Sequence, residues 1–189
     1  MYKTIVDLND GEGPYPGVNV EKEECINHYA KRLKNRLTYL RKSQYVEKEL
    51  KTGRKRKEFA MKKKGILTDS VIDKLAQYFQ KNLREVIGHG VEDMRNCIMA
   101  SFFHFSSNDE KPQHHLCPTG DKFWCFYQKA VAANLPPPSH TNMKVQFQLE
   151  PAYMEEVHNI YEDLTTDEMM WRCVKGRTQN PNESLHQRI

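Results

Sequence analysis

The sequence predicts a mainly α-helical fold, and three observations carry that reading. Apolar residues recur at three- and four-residue steps in several separate segments, as in helices with one buried stripe. Strand-like runs are few, Val18-Asn19-Val20 being a short one. Glycine and proline clusters fall between the periodic segments, where they break one helix from the next.

Taken in order, Gly11 to Gly17 mark an opening loop rich in Gly and Pro. A long helix is expected from about residue 23 to 44, because Cys25, Tyr29, Leu33, Leu37 and Leu40 build one face. Residues 45–64 read as a solvated basic connector. Thr68 or Asp69 can cap a second helix over 69–86, whose stripe is Val71, Ile72, Leu75, Phe79, Leu83 and Val86. Gly88-His89-Gly90 breaks it, and a third helix over 91–105 carries Val91, Met94, Ile98 and Phe102. Residues 106–120 read as loop. A short helix over 121–133 stops at Leu135-Pro-Pro-Pro-Ser139. Pro151 suits a first helical position and opens a helix to about Leu164. Thr165-Thr-Asp-Glu168 has the form of a capping box for a last short helix to about Cys173.

Charge is uneven. Residues 31–64 hold 15 Lys and Arg against three acids, although the whole chain is only +4. The basic character therefore belongs to one segment. Arg54, Lys55, Arg56 and Lys57, with Lys62, Lys63 and Lys64, are the candidate nucleic-acid contacts, since such clusters release counterions from phosphates. They also have the form of a nuclear import signal. The bland alternative is a solvated linker, and sparse aromatics argue against single-strand stacking. No apolar run is long enough for a membrane span, and the N-terminal residues have no secretory h-region. Five cysteines, an odd count, argue against a disulfide framework and for reduced thiols in the nucleus or cytosol.

Two Cys/His pairs share a spacing. Cys25 and His28 fall on one face of the first helix, so both can reach one ion. His114 and Cys117 repeat the interval, and Cys125 follows eight residues on. Zinc takes four N/S ligands, often as two close pairs. The set Cys25, His28, His114 and Cys117 meets that need, with Cys125 as a substitute in the second pair. Such a site would be structural, pinning the 106–120 loop to the first helix. The alternative is ordinary packing and turn roles for each residue. Near the C-terminus, Thr178 to Ser184 is by composition only a polar segment with one acid, Glu183.

These pieces also occur in a familiar order. Val20 to Leu37, with its Cys25-Ile-Asn-His28, resembles the segment after the second catalytic Asp of Mutator-like transposases. Leu67 to Leu75, Ser101-Phe-Phe-His104, Pro112 to Pro118, Trp124-Cys125, and the stretch from Ile160 through Cys173 to Ser184 are similar to later parts of the same domain. The resemblance covers nearly the whole chain, and it is the joint order of loose motifs that is specific.

The resemblance implies a helical insertion and the C-terminal part of an interrupted ribonuclease H-like (α/β) catalytic core, with the central sheet largely missing. It divides the chain into a core remnant at 1–22, the helical insertion at 23–175, and a C-terminal segment at 176–189. It implies a parent reaction of DNA cleavage and strand transfer, with two Mg²⁺ or Mn²⁺ ions held by an Asp, Asp, Glu trio. Glu183 matches the Glu of that trio. The family's two Asp precede the matched part, so the chain is expected not to cut DNA alone; one Glu cannot hold two hard cations. Metal-dependent nicking by the purified chain would overturn that. DNA is the implied partner, homo-oligomers are implied for the parent transposase, and the nucleus is the implied compartment. The competing readings are a non-catalytic nucleic-acid-binding module and a zinc-stabilised interaction domain.

Overall fold

The computed structural model describes residues 23–43, 45–59, 67–120, 124–142 and 151–178. Within them lie six α-helices and one two-stranded antiparallel sheet. The expected strand at Val18 to Val20, the core remnant at 1–22, Lys62 to Lys64, and Glu183 lie outside the described residues.

Helix α1 (Ile26–Ser43) buries Tyr29, Leu33, Leu37 and Leu40, the stripe its periodicity predicts. Helix α2 (Asp69–Glu85) is capped by Thr68, whose hydroxyl accepts from the Val71 N–H at 3.3 Å. Gly88, at φ +83°, turns the chain into helix α3 (Val91–Ser106). Helix α4 (Phe126–Ala132) is short. Helix α5 (Pro151–Leu164) opens on its proline, as expected. Helix α6 (Asp167–Cys173) starts one residue later than the capping-box reading implies. Its cap is Thr166, which accepts from the Met169 N–H, while Thr165 is buried and donates back to the Tyr161 carbonyl at 2.9 Å. A hydroxyl at the end of α5 satisfies that carbonyl, so the capping role passes to the next threonine.

The helices pack α1 on α2, α2 on α3, α1 on α5 and α3 on α6. One continuous core results. Tyr29, Phe79, Phe102 and Tyr161 interlock at its centre, with ring centroids 5.6–5.8 Å apart. Both tyrosine hydroxyls are satisfied: Tyr29 donates to the Leu164 carbonyl, and Tyr161 meets Ser101 at 3.2 Å. Truncating such a buried aromatic removes about 3–5 kcal/mol. Among the described residues no helix is long and apolar enough to cross a membrane.

The basic segment departs from the expected solvated connector. Strands β1 (Tyr45–Glu49) and β2 (Lys55–Phe59) form an antiparallel hairpin in the register Tyr45–Phe59, Glu47–Lys57 and Glu49–Lys55. Alternation is hard to see in sequence because charged side chains dominate both faces, so no hydrophobic period marks the strands.

Candidate metal centre

Helix α3 is apolar around most of its circumference from Ile98 to Phe105, and a helix of that kind must be covered on more than one side. One side faces α2 and α5. The other is covered by residues 107–120 together with Trp124 and Cys125. Ser107 stops the helix, and its hydroxyl accepts the Gln113 N–H at 2.8 Å. Asn108 closes a turn by accepting the Lys111 N–H at 2.7 Å. A second turn, Cys117 N–H to the His114 carbonyl at 3.1 Å, points residues 114 and 117 the same way. Gln128 of α4 donates to that same carbonyl at 2.9 Å. Cys125 caps α4, its sulfur accepting from the Gln128 N–H at 3.5 Å.

Four buried side chains converge at the centre: His104, His114, Cys117 and Cys125, with ligand atoms all within 4.8 Å of one another. His104 Nδ1 lies 3.2 Å from His114 Nδ1. Cys117 Sγ lies 3.7 Å from each of those nitrogens, and Cys125 Sγ is 3.6 Å from His114 Nδ1. A zinc tetrahedron with usual bond lengths has N···N edges of about 3.3 Å and N···S edges of about 3.6 Å. The observed edges match to within a few tenths of an ångström, so the donor set fits a closed two-Cys, two-His zinc site.

The electrostatics agree. Cys125 is driven well below the ordinary thiol range, first by the hydrogen bond from Cys117, then by those from His104, His114 and the Gln128 N–H. Cys117 is driven up by the same contact with Cys125 and by burial. Two adjacent thiols cannot both ionise without a cation between them. Elsewhere burial, helped by nearby Glu85, raises Cys97 to about 11, and burial, helped by Glu24, raises Cys173 to about 12, as in inert buried thiols.

Outside the tetrahedron a hydrogen-bond chain runs to the surface. His114 Nε2 is 2.9 Å from His140 Nε2 and 3.1 Å from the Ser107 hydroxyl. His140 Nδ1 is 2.6 Å from an Asp109 carboxylate oxygen. Asp109 is held at about 2 by bonds from the Ser139 hydroxyl, the His140 N–H and the His140 ring. One set of tautomers satisfies this chain, with the Ser107 hydroxyl also 2.9 Å from His140 Nε2. Ionised Asp109 takes the Nδ1–H of His140. His140 Nε2 is then an acceptor for the Nε2–H of His114. That leaves the Nδ1 lone pair of His114 facing His104 and the thiols, the tautomer a metal requires. Tyr127 stacks on the His114 ring at 4.4 Å and Trp124 meets His104 edge-on at 4.7 Å, excluding water.

His114, Cys117 and Cys125 are thus brought together, and the fourth member is His104. Cys25 and His28 are not in the group. Cys25 precedes α1, where the Glu24 N–H bonds to the Arg172 carbonyl and the Ile26 N–H to the Arg177 carbonyl; these bonds hold the start of α1 against the end of α6. The 106–120 loop is therefore pinned to α3 rather than to α1. Sequence reasoning missed His104, Asp109 and His140. Near-continuous apolarity of α3 is the one signal for His104, since it demands a second cover; Asp109 and His140 carry no signal. Arg54 to Lys57 lie at the tip and on β2 of the hairpin.

The described residues form a helical domain with a Cys/His cluster that ties the loop after α3 to that helix, the class of a candidate metal-clamped module. Residues 2–125 match the Mutator-like transposase family, and the chain belongs to that family. The match spans all four clustered side chains and Asp109, and His140 lies beyond it. Neither the curated proteins nor the solved structures give a match.

Proposed function

We propose that this chain is the zinc-stabilised helical insertion, with the adjoining C-terminal segment, of a transposase catalytic domain. The parent activity is metal-dependent DNA cleavage and strand transfer, in the nucleus. The reading rests on family membership and on one structural observation: four buried N and S donors at tetrahedral spacing within the span that matches the family. Zinc at this position supplies no chemistry to the reaction. It neutralises the two thiols and locks a loop that buries little apolar surface of its own.

Glu183 is proposed as one carboxylate for the Mg²⁺ or Mn²⁺ pair of the parent enzyme, on the strength of the resemblance. DNA is the proposed partner, and the exposed basic hairpin supports DNA over a purely structural module.

The test is metal content and stability of the purified chain. Stoichiometric zinc is expected. With free metal a thousandfold above Kd, binding contributes about 4 kcal/mol. Chelation should then lower the Tm by about 8–16 °C for a chain of this size. A chain that purifies without zinc, and whose melting ignores both chelator and added zinc, would overturn the reading.

A further inference from the structure

The hairpin is regular in backbone and uneven in charge. Strand alternation divides its side chains between two faces. One face carries Glu47, Glu49, Lys55 and Lys57. Glu47 stands opposite Lys57, Glu49 opposite Lys55, and Lys55 Nζ reaches Glu47 at 3.7 Å. Its charges cancel. The other face carries Val46, Lys48 and Leu50 from one side and Arg54, Arg56 and Glu58 from the other. The ladder continues to this end, the Leu50 N–H bonding to the Arg54 carbonyl at 2.8 Å. Lys48 pairs with Glu58 at 3.5 Å. Arg54 and Arg56 make no ion pair among the described residues. Val46 and Leu50, exposed at 49% and 40%, lie beside them.

Nothing described covers that face. A two-stranded hairpin is marginally stable alone, and this one meets the helices chiefly at the end of α1. It is an arm about 17 Å long, at about 3.4 Å per residue. The major groove of B-DNA, about 12 Å wide, admits a two-stranded ribbon. Arginine is the side chain that pairs with phosphate or with the guanine edge in two bonds, and small apolar groups suit thymine methyls. The face has no ring for stacking single-stranded bases.

We propose that the β1–β2 hairpin enters the major groove of duplex DNA with the Lys48, Arg54, Arg56 face inward and the charge-balanced face outward. This rests on the DNA-binding reading and adds to it a groove, a strand pair and a face. Gly53, at φ +76°, closes the three-residue tip that keeps Arg54 in register with Leu50.

The experiment measures affinity of the full 189-residue chain for a random duplex by fluorescence anisotropy across a salt series. Two double variants remove equal charge from opposite faces. Arg54→Gln with Arg56→Gln should flatten the slope of log Kobs against log salt by about 1.8, since each phosphate contact contributes about 0.9. Lys55→Gln with Lys57→Gln should change it by less than about 0.5. Methylating guanine N7, which puts a methyl group and a positive charge in the major groove, should weaken the native chain more than the double-Arg variant. Equal flattening by both pairs, indifference to N7 methylation, or tighter binding to single strands would overturn the groove assignment while leaving DNA binding in place. A native chain that binds no duplex would overturn both.

Discussion

The loop at 107–120, with the adjoining Trp124 and Cys125, and the hairpin at 45–59 are ordered in opposite ways. The hairpin has a full ladder of backbone hydrogen bonds and almost no buried side chain. The loop has little regular secondary structure, yet it delivers three of the four clustered donors, His114, Cys117 and Cys125, all buried. Regular backbone geometry therefore does not mark the part of this molecule that resists opening. In the loop, order comes from side chains that converge on a point. In the hairpin, local pairing leaves the side chains available to a partner.

The comparison breaks most directly at Cys117. Cys117→Ser should abolish stoichiometric zinc and lower the Tm by about as much as chelation, near 8–16 °C. It leaves the Cys125 cap of α4 untouched. Hydrogen exchange should then quicken across 107–120, while the hairpin amides, expected to exchange fast in the native chain, should not change. Slowed exchange in the hairpin, or no change in the loop, would remove the distinction.

A smaller effect is expected from the outer chain. His140→Ala should weaken zinc about 10- to 100-fold, because such partners orient the ligand ring. His140→Gln keeps an acceptor for the His114 Nε2–H and should recover most of that loss. His115→Ala, at an exposed neighbour whose ring lies tilted against Phe103, should leave affinity unchanged. Equal zinc affinity in His140→Ala and the native chain, measured by chelator competition, would reduce the Asp109–His140 chain to a surface contact.

The smallest effect belongs to the hairpin tip. Gly53→Ala forces a side chain into the left-handed region, a strain of about 1–2 kcal/mol. Global Tm should nonetheless move by less than about 1 °C, since a frayed hairpin exposes no core. Binding to duplex DNA should weaken. A substantial loss of thermal stability would mean that the arm is integrated with the helices.

The helices were legible because their information is local. A 3.6-residue stripe and a start signal suffice for α2, with its Thr68 cap, and for α5, with Pro151 in the first turn. The hairpin was not legible, because Glu47, Lys57 and their neighbours are polar on both faces and alternate nothing that a solvent boundary would sort. The clustered donors were legible by type and not by partnership. Cys25 to His28 and His114 to Cys117 have the same spacing, and spacing says which two residues share a face, not which faces meet.

From the residues alone came the helical class, the stripes that build the core, the uneven charge, membership of the transposase family, and three of the four clustered donors. Tertiary structure decided that those donors meet His104, that His140 and Asp109 stand behind them, and that two arginines share an uncovered face of a ribbon. The physical reason is range. Periodicity and capping act within a few residues, whereas a tetrahedron closes only when helix packing has set which segments lie together.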